Sequence, residues 1–151
     1  MKTHLPRPPK SQAGFSLLEV LVTIVVLSLG LLGFAGLQAY SLKSNRLALQ
    51  RSLATMQAYN IVDSMRANRL SAIGSQYNQD YVVTTCDTPT TSGNVAADDL
   101  AEWNAALACN LPSGQGKITV TGTGNVTINI KWNEGMDTSG DFVTWSTETT
   151  L

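Results

Sequence analysis

The chain has 151 residues, 43% hydrophobic and 14% charged, with a formal net charge of −1. That length suits one domain. Lys2, Arg7 and Lys10 precede an uncharged run from Val20 to Leu42; without them seven basic side chains face eleven acidic ones, a balance of −4. An acidic remainder argues against a nucleic-acid surface, which carries a basic stripe. His4 is the single histidine, so a Ser-His or Cys-His dyad in the body of the chain is excluded and zinc held by Cys and His is not expected.

Residues 1–14 (MKTHLPRPPKSQAG) are basic and hold three prolines, which suits a leader better than a regular element. Residues 15–37 are apolar on every side, with Glu19 the one charged group. A helix of that kind belongs in lipid or in a core. About 20 apolar residues span a bilayer, where the helix satisfies its own backbone. Gly30, Gly33 and Gly36 follow at steps of three, a spacing suited to close packing of neighbouring helices.

From Gln38 to about Ser71 the pattern predicts that the helix continues, giving roughly 55 residues in all. Leu49, Leu53, Met56, Tyr59, Val62 and Met65 recur at steps of three and four and are expected to be buried. Arg46, Gln50, Gln57, Asn60 and Asp63 are assigned to the opposite face. Beyond Gly74 the chain is loop-rich, with a short strand expected at 81–85. Asp99 and Glu102 have capping-box spacing, which predicts a helix from there to about Ala108, stopped by Asn110-Leu111-Pro112. Strands are predicted at 117–121, 126–132 and 142–147, the first two joined by a turn at 122–125 and the last two by a polar turn at 135–140. The alternation of Val126, Ile128, Ile130 and Trp132 buries one face of the middle strand. Trp103, Trp132 and Trp145 are assigned to the core. Asp98 and Asp99 are adjacent, about 100° apart on a helix, and suit a helix start rather than a carboxylate pair. Asp137, Thr138, Gly140 and Asp141 lack the spacing of a calcium loop and suit a hairpin turn.

Cys86 and Cys109 are the two cysteines. In a chain that crosses a membrane they are expected to pair; the alternative is two buried free thiols.

Three readings of the N-terminus compete: a secretory signal cut after Gly33-Phe34-Ala35, an uncleaved anchor, and a prepilin. The run Gly14-Phe15-Ser16-Leu17-Leu18-Glu19-Val20 resembles the processing motif of the type IV prepilin family, and within it the minor pilins called PilV. The resemblance implies that a membrane peptidase cuts between Gly14 and Phe15 and methylates the new amine of Phe15. It also implies that Glu19 pairs with the terminal amine of a neighbouring subunit and sets an axial register. An ionised carboxylate within the apolar run costs about 2.5–3.5 kcal/mol, which neither a plain signal nor an anchor recovers. Met65-Arg66-Ala67-Asn68-Arg69 and the block from Asp99 to Pro112 are similar to PilV-type segments. Many major pilins carry a proline in this helix; here glycines stand instead.

Charge flanking the span does not orient it, since Lys43, Arg46 and Arg51 follow it closely. The leader and the cysteines favour a cytoplasmic N-terminus, a single inner-membrane span and a periplasmic C-terminal part. The expected fold is α+β and pilin-like: leader 1–14, assembly helix 15–40, amphipathic helix 41–72, and a globular part 73–151 with a short helix and an antiparallel sheet. The expected role, as the resemblance implies, is that of a non-enzymatic minor pilin that initiates or modifies pilus assembly. It would support twitching, adhesion or DNA uptake. A type II secretion pseudopilin and a secreted adhesin are the alternatives. Other pilins, the prepilin peptidase and inner-membrane lipids are the expected partners. No metal, cofactor or small-molecule substrate is expected.

Overall fold

The computed structural model describes residues 14–135 and 141–151. Most of the expected leader, and the turn carrying Asp137, Thr138 and Gly140, lie outside the described residues. Six elements follow in chain order: α1 (Leu17–Ala67), α2 (Arg69–Ile73), α3 (Val95–Asn110), β1 (Gln115–Val120), β2 (Asn125–Asn133) and β3 (Phe142–Thr150). The chain divides into two compact units between Lys43 and Ser44.

In the first unit every described residue is exposed, and α1 is long and apolar enough there to cross a membrane. The Thr23 hydroxyl donates to the Glu19 carbonyl at 2.6 Å and the Ser28 hydroxyl to the Val25 carbonyl at 2.8 Å. These two polar groups are therefore satisfied inside the helix, as an apolar surrounding demands.

The second unit is α+β, with one helical face packed on a three-stranded antiparallel sheet of order β1-β2-β3. Val126, Ile128, Ile130 and Trp132 all point inward, as their alternation predicts. Register carries that face across the sheet, with Ile118 opposite Ile128 and Trp145 opposite Ile130. Trp103 and Trp132 are buried, while Trp145 is half-buried on β3 at the edge of the sheet. At the β1–β2 turn Gly124 adopts φ +85°, a region that glycine enters without steric cost.

The buried face of α1 is only partly the one expected: Val62 and Met65 are buried and Leu53 is half-buried, but the face is rotated. It comprises Gln50, Ala54, Gln57, Ala58, Ile61, Val62 and Met65, whereas Leu49, Met56 and Tyr59 are exposed. Ala54 and Ala58 explain the rotation. Their small side chains bring the helix backbone close to its neighbours, and the Trp103 indole N–H reaches the Gln57 carbonyl at 2.9 Å. Gln50 and Gln57, assigned to the polar face, are carried inside with that stripe.

α3 begins a full turn earlier than predicted. Asn94 is its N-cap, and its side-chain oxygen accepts from the amides of Ala96 at 3.0 Å and Ala97 at 3.2 Å. Asp99 is drawn instead to the Tyr77 hydroxyl, which donates to it. The strand expected at 81–85 does not form. Pairing with β1 is confined to a single bridge, Gln79 to Ile118, beyond which the Asp80 carboxylate takes the Tyr81 amide at 2.8 Å. That local bond removes a donor from the ladder. The three strands run longer than predicted by one to three residues at one end or both.

Gly116 on β1 lies flat beneath the Trp103 ring, where a Cβ would overlap the ring carbons and meet Leu107 at 2.8 Å. Gly122, at the hairpin turn, has open space within 4 Å. Gly116→Ala is therefore expected to destabilise the second unit by about 1–3 kcal/mol through overpacking, with Gly122→Ala near neutral. Denaturant unfolding of the full chain in detergent, followed by tryptophan fluorescence, measures both.

Candidate functional site: the N-terminal junction and the disulfide loop

Gly14, Phe15 and Ser16 precede the helix and are not helical. Phe15 is 85% exposed, so the Gly14–Phe15 peptide bond sits in accessible, irregular chain of the kind a protease requires. The Ser16 carbonyl accepts from the Glu19 amide at 3.0 Å and the Val20 amide at 3.3 Å, which starts α1. Ser16 and Glu19 have the S-x-x-E spacing of a capping box, a signal the motif reading passed over. Glu19 lies in the first turn, at the electropositive end of the helix. Its carboxylate is exposed and forms no ion pair among the described residues. A cut after Gly14 would put a new cationic amine four residues from it in sequence.

Gly30, Gly33 and Gly36 meet nothing within 4 Å, so among the described residues none packs on the flat strip they leave on α1. Around the strip Leu29, Leu32, Phe34 and Leu37 are each more than half exposed. This surface is fit for lipid or for another helix.

The second feature is covalent. Cys86 and Cys109 form a disulfide with a Cα–Cα distance of 4.7 Å, joining the loop after Tyr77 to the last turn of α3. The loop is also tied on either side of the bridge. Asp80 pairs with Lys117 at 3.3 Å. Asp98 accepts from the Ser92 amide, the Ser92 hydroxyl at 2.8 Å and the Gly93 amide at 3.2 Å. The Ser92 amide first, then its hydroxyl, hold the Asp98 carboxyl below the usual carboxylate range. For Asp80 the Tyr81 amide and then Lys117 do the same. Asp98 in the first turn of α3 thus clamps the preceding loop and favours the helix dipole at once. No group of three or more His, Cys, Asp or Glu side chains among the described residues is placed to hold a metal ion.

Residues 9–35 match the model of the prokaryotic N-terminal methylation motif. The match covers the N-terminal segment alone and supports a type IV prepilin-like N-terminus. A helix leading into a three-stranded antiparallel sheet is the pilin-like arrangement. No curated protein and no solved structure matches the chain.

The disulfide closes 22 intervening residues and is expected to contribute about 3 kcal/mol by restricting the unfolded chain. Replacing both cysteines with serine should lower unfolding stability by that amount. Thiol labelling of the native protein without reductant should leave Cys86 and Cys109 unmodified.

Proposed function

We propose that this chain is a minor pilin of a type IV pilus, a structural subunit that is processed at Gly14–Phe15 and inserted into the filament through its N-terminal helix. Residues 1–14 are the leader, 15–40 the membrane and assembly helix, 41–72 the amphipathic helix, and 73–151 the remaining globular part. One observation carries the reading: the methylation motif at 9–35 coincides with an exposed, non-helical Gly14–Phe15 bond and with a carboxylate in the first turn of an uncovered apolar helix.

The role of Glu19 follows from electrostatics. Before assembly the peptide waits in the inner membrane, its N-terminus cytoplasmic and its disulfide-bearing part in the oxidising periplasm. Cleavage leaves a cationic amine on Phe15, which methylation preserves as a cation. In a low-dielectric surrounding the attraction between that amine and a Glu19 carboxylate on an adjacent subunit is strong and weakens as the two separate. It therefore penalises any axial offset between helices. Gly30, Gly33 and Gly36 let those helices approach closely. The products of such assembly serve pilus initiation or modification, and through it twitching, adhesion or DNA uptake.

Mass spectrometry of the mature protein is expected to find a chain beginning at N-methylated Phe15. A mature chain beginning at Gly36, or one retaining Met1, would contradict this assignment. The protein is further expected in sheared pilus fractions, whereas recovery only with a secretion apparatus would make it a pseudopilin. Glu19→Ala should be cleaved normally yet reach the filament several-fold less, read by immunoblot of sheared pili against whole cells. Normal incorporation would remove the register role.

A further inference from the structure

We propose that the cleft between α1 and α3 in the second unit binds a single arginine side chain presented by another protein chain. This site uses neither the Gly14–Phe15 junction nor Glu19 and does not depend on the pilus reading.

The cleft has a volume of about 260 Å³. That is below the roughly 300–1,000 Å³ of pockets for drug-sized ligands, and fits one long side chain. α1 supplies Gln57, Asn60 and Ser64, and α3 supplies Asp99 and Glu102. No lysine or arginine lines it, so two carboxylates face the cleft without a cation. Ile61 and Ala106 add apolar wall.

Gln57 is the observation that points to a ligand. It is only 5% exposed, its backbone carbonyl is taken by the Trp103 indole, and its side-chain amide has no hydrogen-bond partner among the described residues. Its amide is not among the fully enclosed unpaired polar atoms, so it is open to the cleft that Gln57 lines. Asp99 is held in place from behind. The Tyr77 hydroxyl donates to one carboxylate oxygen and itself accepts from the Asn68 amide at 3.3 Å. Burial first, then the Asp99 carboxylate, push the Tyr77 phenol up to about 12, so the tyrosine stays neutral and brings no charge to the cleft.

A lining with two carboxylates, two side-chain amide oxygens and no cation selects the ligand. Guanidinium offers five N–H donors in a planar fork and no acceptor. It can bond the Asp99 and Glu102 carboxylates and the carbonyl oxygens of Gln57 and Asn60 together. Its aliphatic stem lies on apolar surface, as the wall provides. A metal ion would lack ligands, since no cluster of three suitable side chains exists among the described residues. Asn60 and Glu102 are exposed at the mouth, so the main chain carrying the arginine can remain outside.

The test is a titration of the isotopically labelled full chain in detergent micelles with acetyl-arginine methylamide, read by NMR. Saturable shifts are expected at the Gln57 and Asn60 side-chain amides. The citrulline analogue, of the same shape without the charge, should bind at least tenfold more weakly. Glu102 makes no bond within the described residues, so E102Q should fold, with an unchanged Trp103 indole signal, and bind at least fivefold more weakly. E102K, which places a cation at the mouth, should abolish binding. Absence of saturable shifts, equal binding of citrulline, or full binding by E102Q and E102K would overturn the proposal. Tighter binding of agmatine than of the peptide-like probe would overturn the assignment to a protein-borne arginine.

Discussion

The second unit depends on how Trp103 is held. Its indole N–H donates to the Gln57 carbonyl of α1, and its ring fills the space that Gly116 leaves open on β1. One side chain therefore fixes α3 against both the helix and the sheet. The consequences spread along α3. Its last turn brings Cys109 to Cys86, its first turn sets Asp98 over the Ser92–Gly93 amides, and its middle turns Asp99 and Glu102 toward α1. An extra bond to a helix carbonyl that already serves the helix ladder is cheap to form. An indole N–H buried without a partner would cost about 1–3 kcal/mol.

The first unit obeys a different constraint. No described residue covers its apolar side chains, from Phe15 at 85% exposed to Leu42 at 71%. Burying a side chain of this size is worth about 1.5–3 kcal/mol, so the segment is stable only in lipid or among other helices. The helix is prepared for that surrounding: its backbone is self-satisfied and the hydroxyls of Thr23 and Ser28 bond to its own carbonyls. Glu19 is the exception, a lone carboxylate on a surface that otherwise carries none. The proposed cleavage would supply a cation four residues away in sequence.

The two units thus divide the chemistry. In one, side chains bury one another within the chain, although Gln50 Oε1 and Trp132 Nε1 are enclosed without a hydrogen-bond partner among the described residues. In the other, the partners must come from outside. The cleft between α1 and α3 is the place where the second unit shares the need of the first, since Gln57, Asp99 and Glu102 present acceptors that the chain itself leaves largely unmatched.

Much of this was readable along the chain. The Gly14-Phe15 to Glu19 junction, the apolar span and the alternation of β2 are local patterns, and local patterns survive folding because a helix needs only its own backbone and a strand its own period. The pairing of Cys86 with Cys109 needed only their number and the setting. Other features belonged to the tertiary structure alone. Ala54 and Ala58 read as neutral positions, yet their smallness selected the buried face of α1 and carried Gln50 and Gln57 inside. Asn94 outcompeted Asp99 as the cap because Asp99 was claimed by Tyr77, a contact across 22 residues that no local spacing announces. The strand expected near Tyr81 was lost to a carboxylate one residue away. What the sequence by itself determined was the long helix with a segment apolar enough to cross a membrane, a second helix, and the three strands that pair. Which face each element turns inward was decided by packing, because side-chain volume and hydrogen-bond competition act only once distant segments meet.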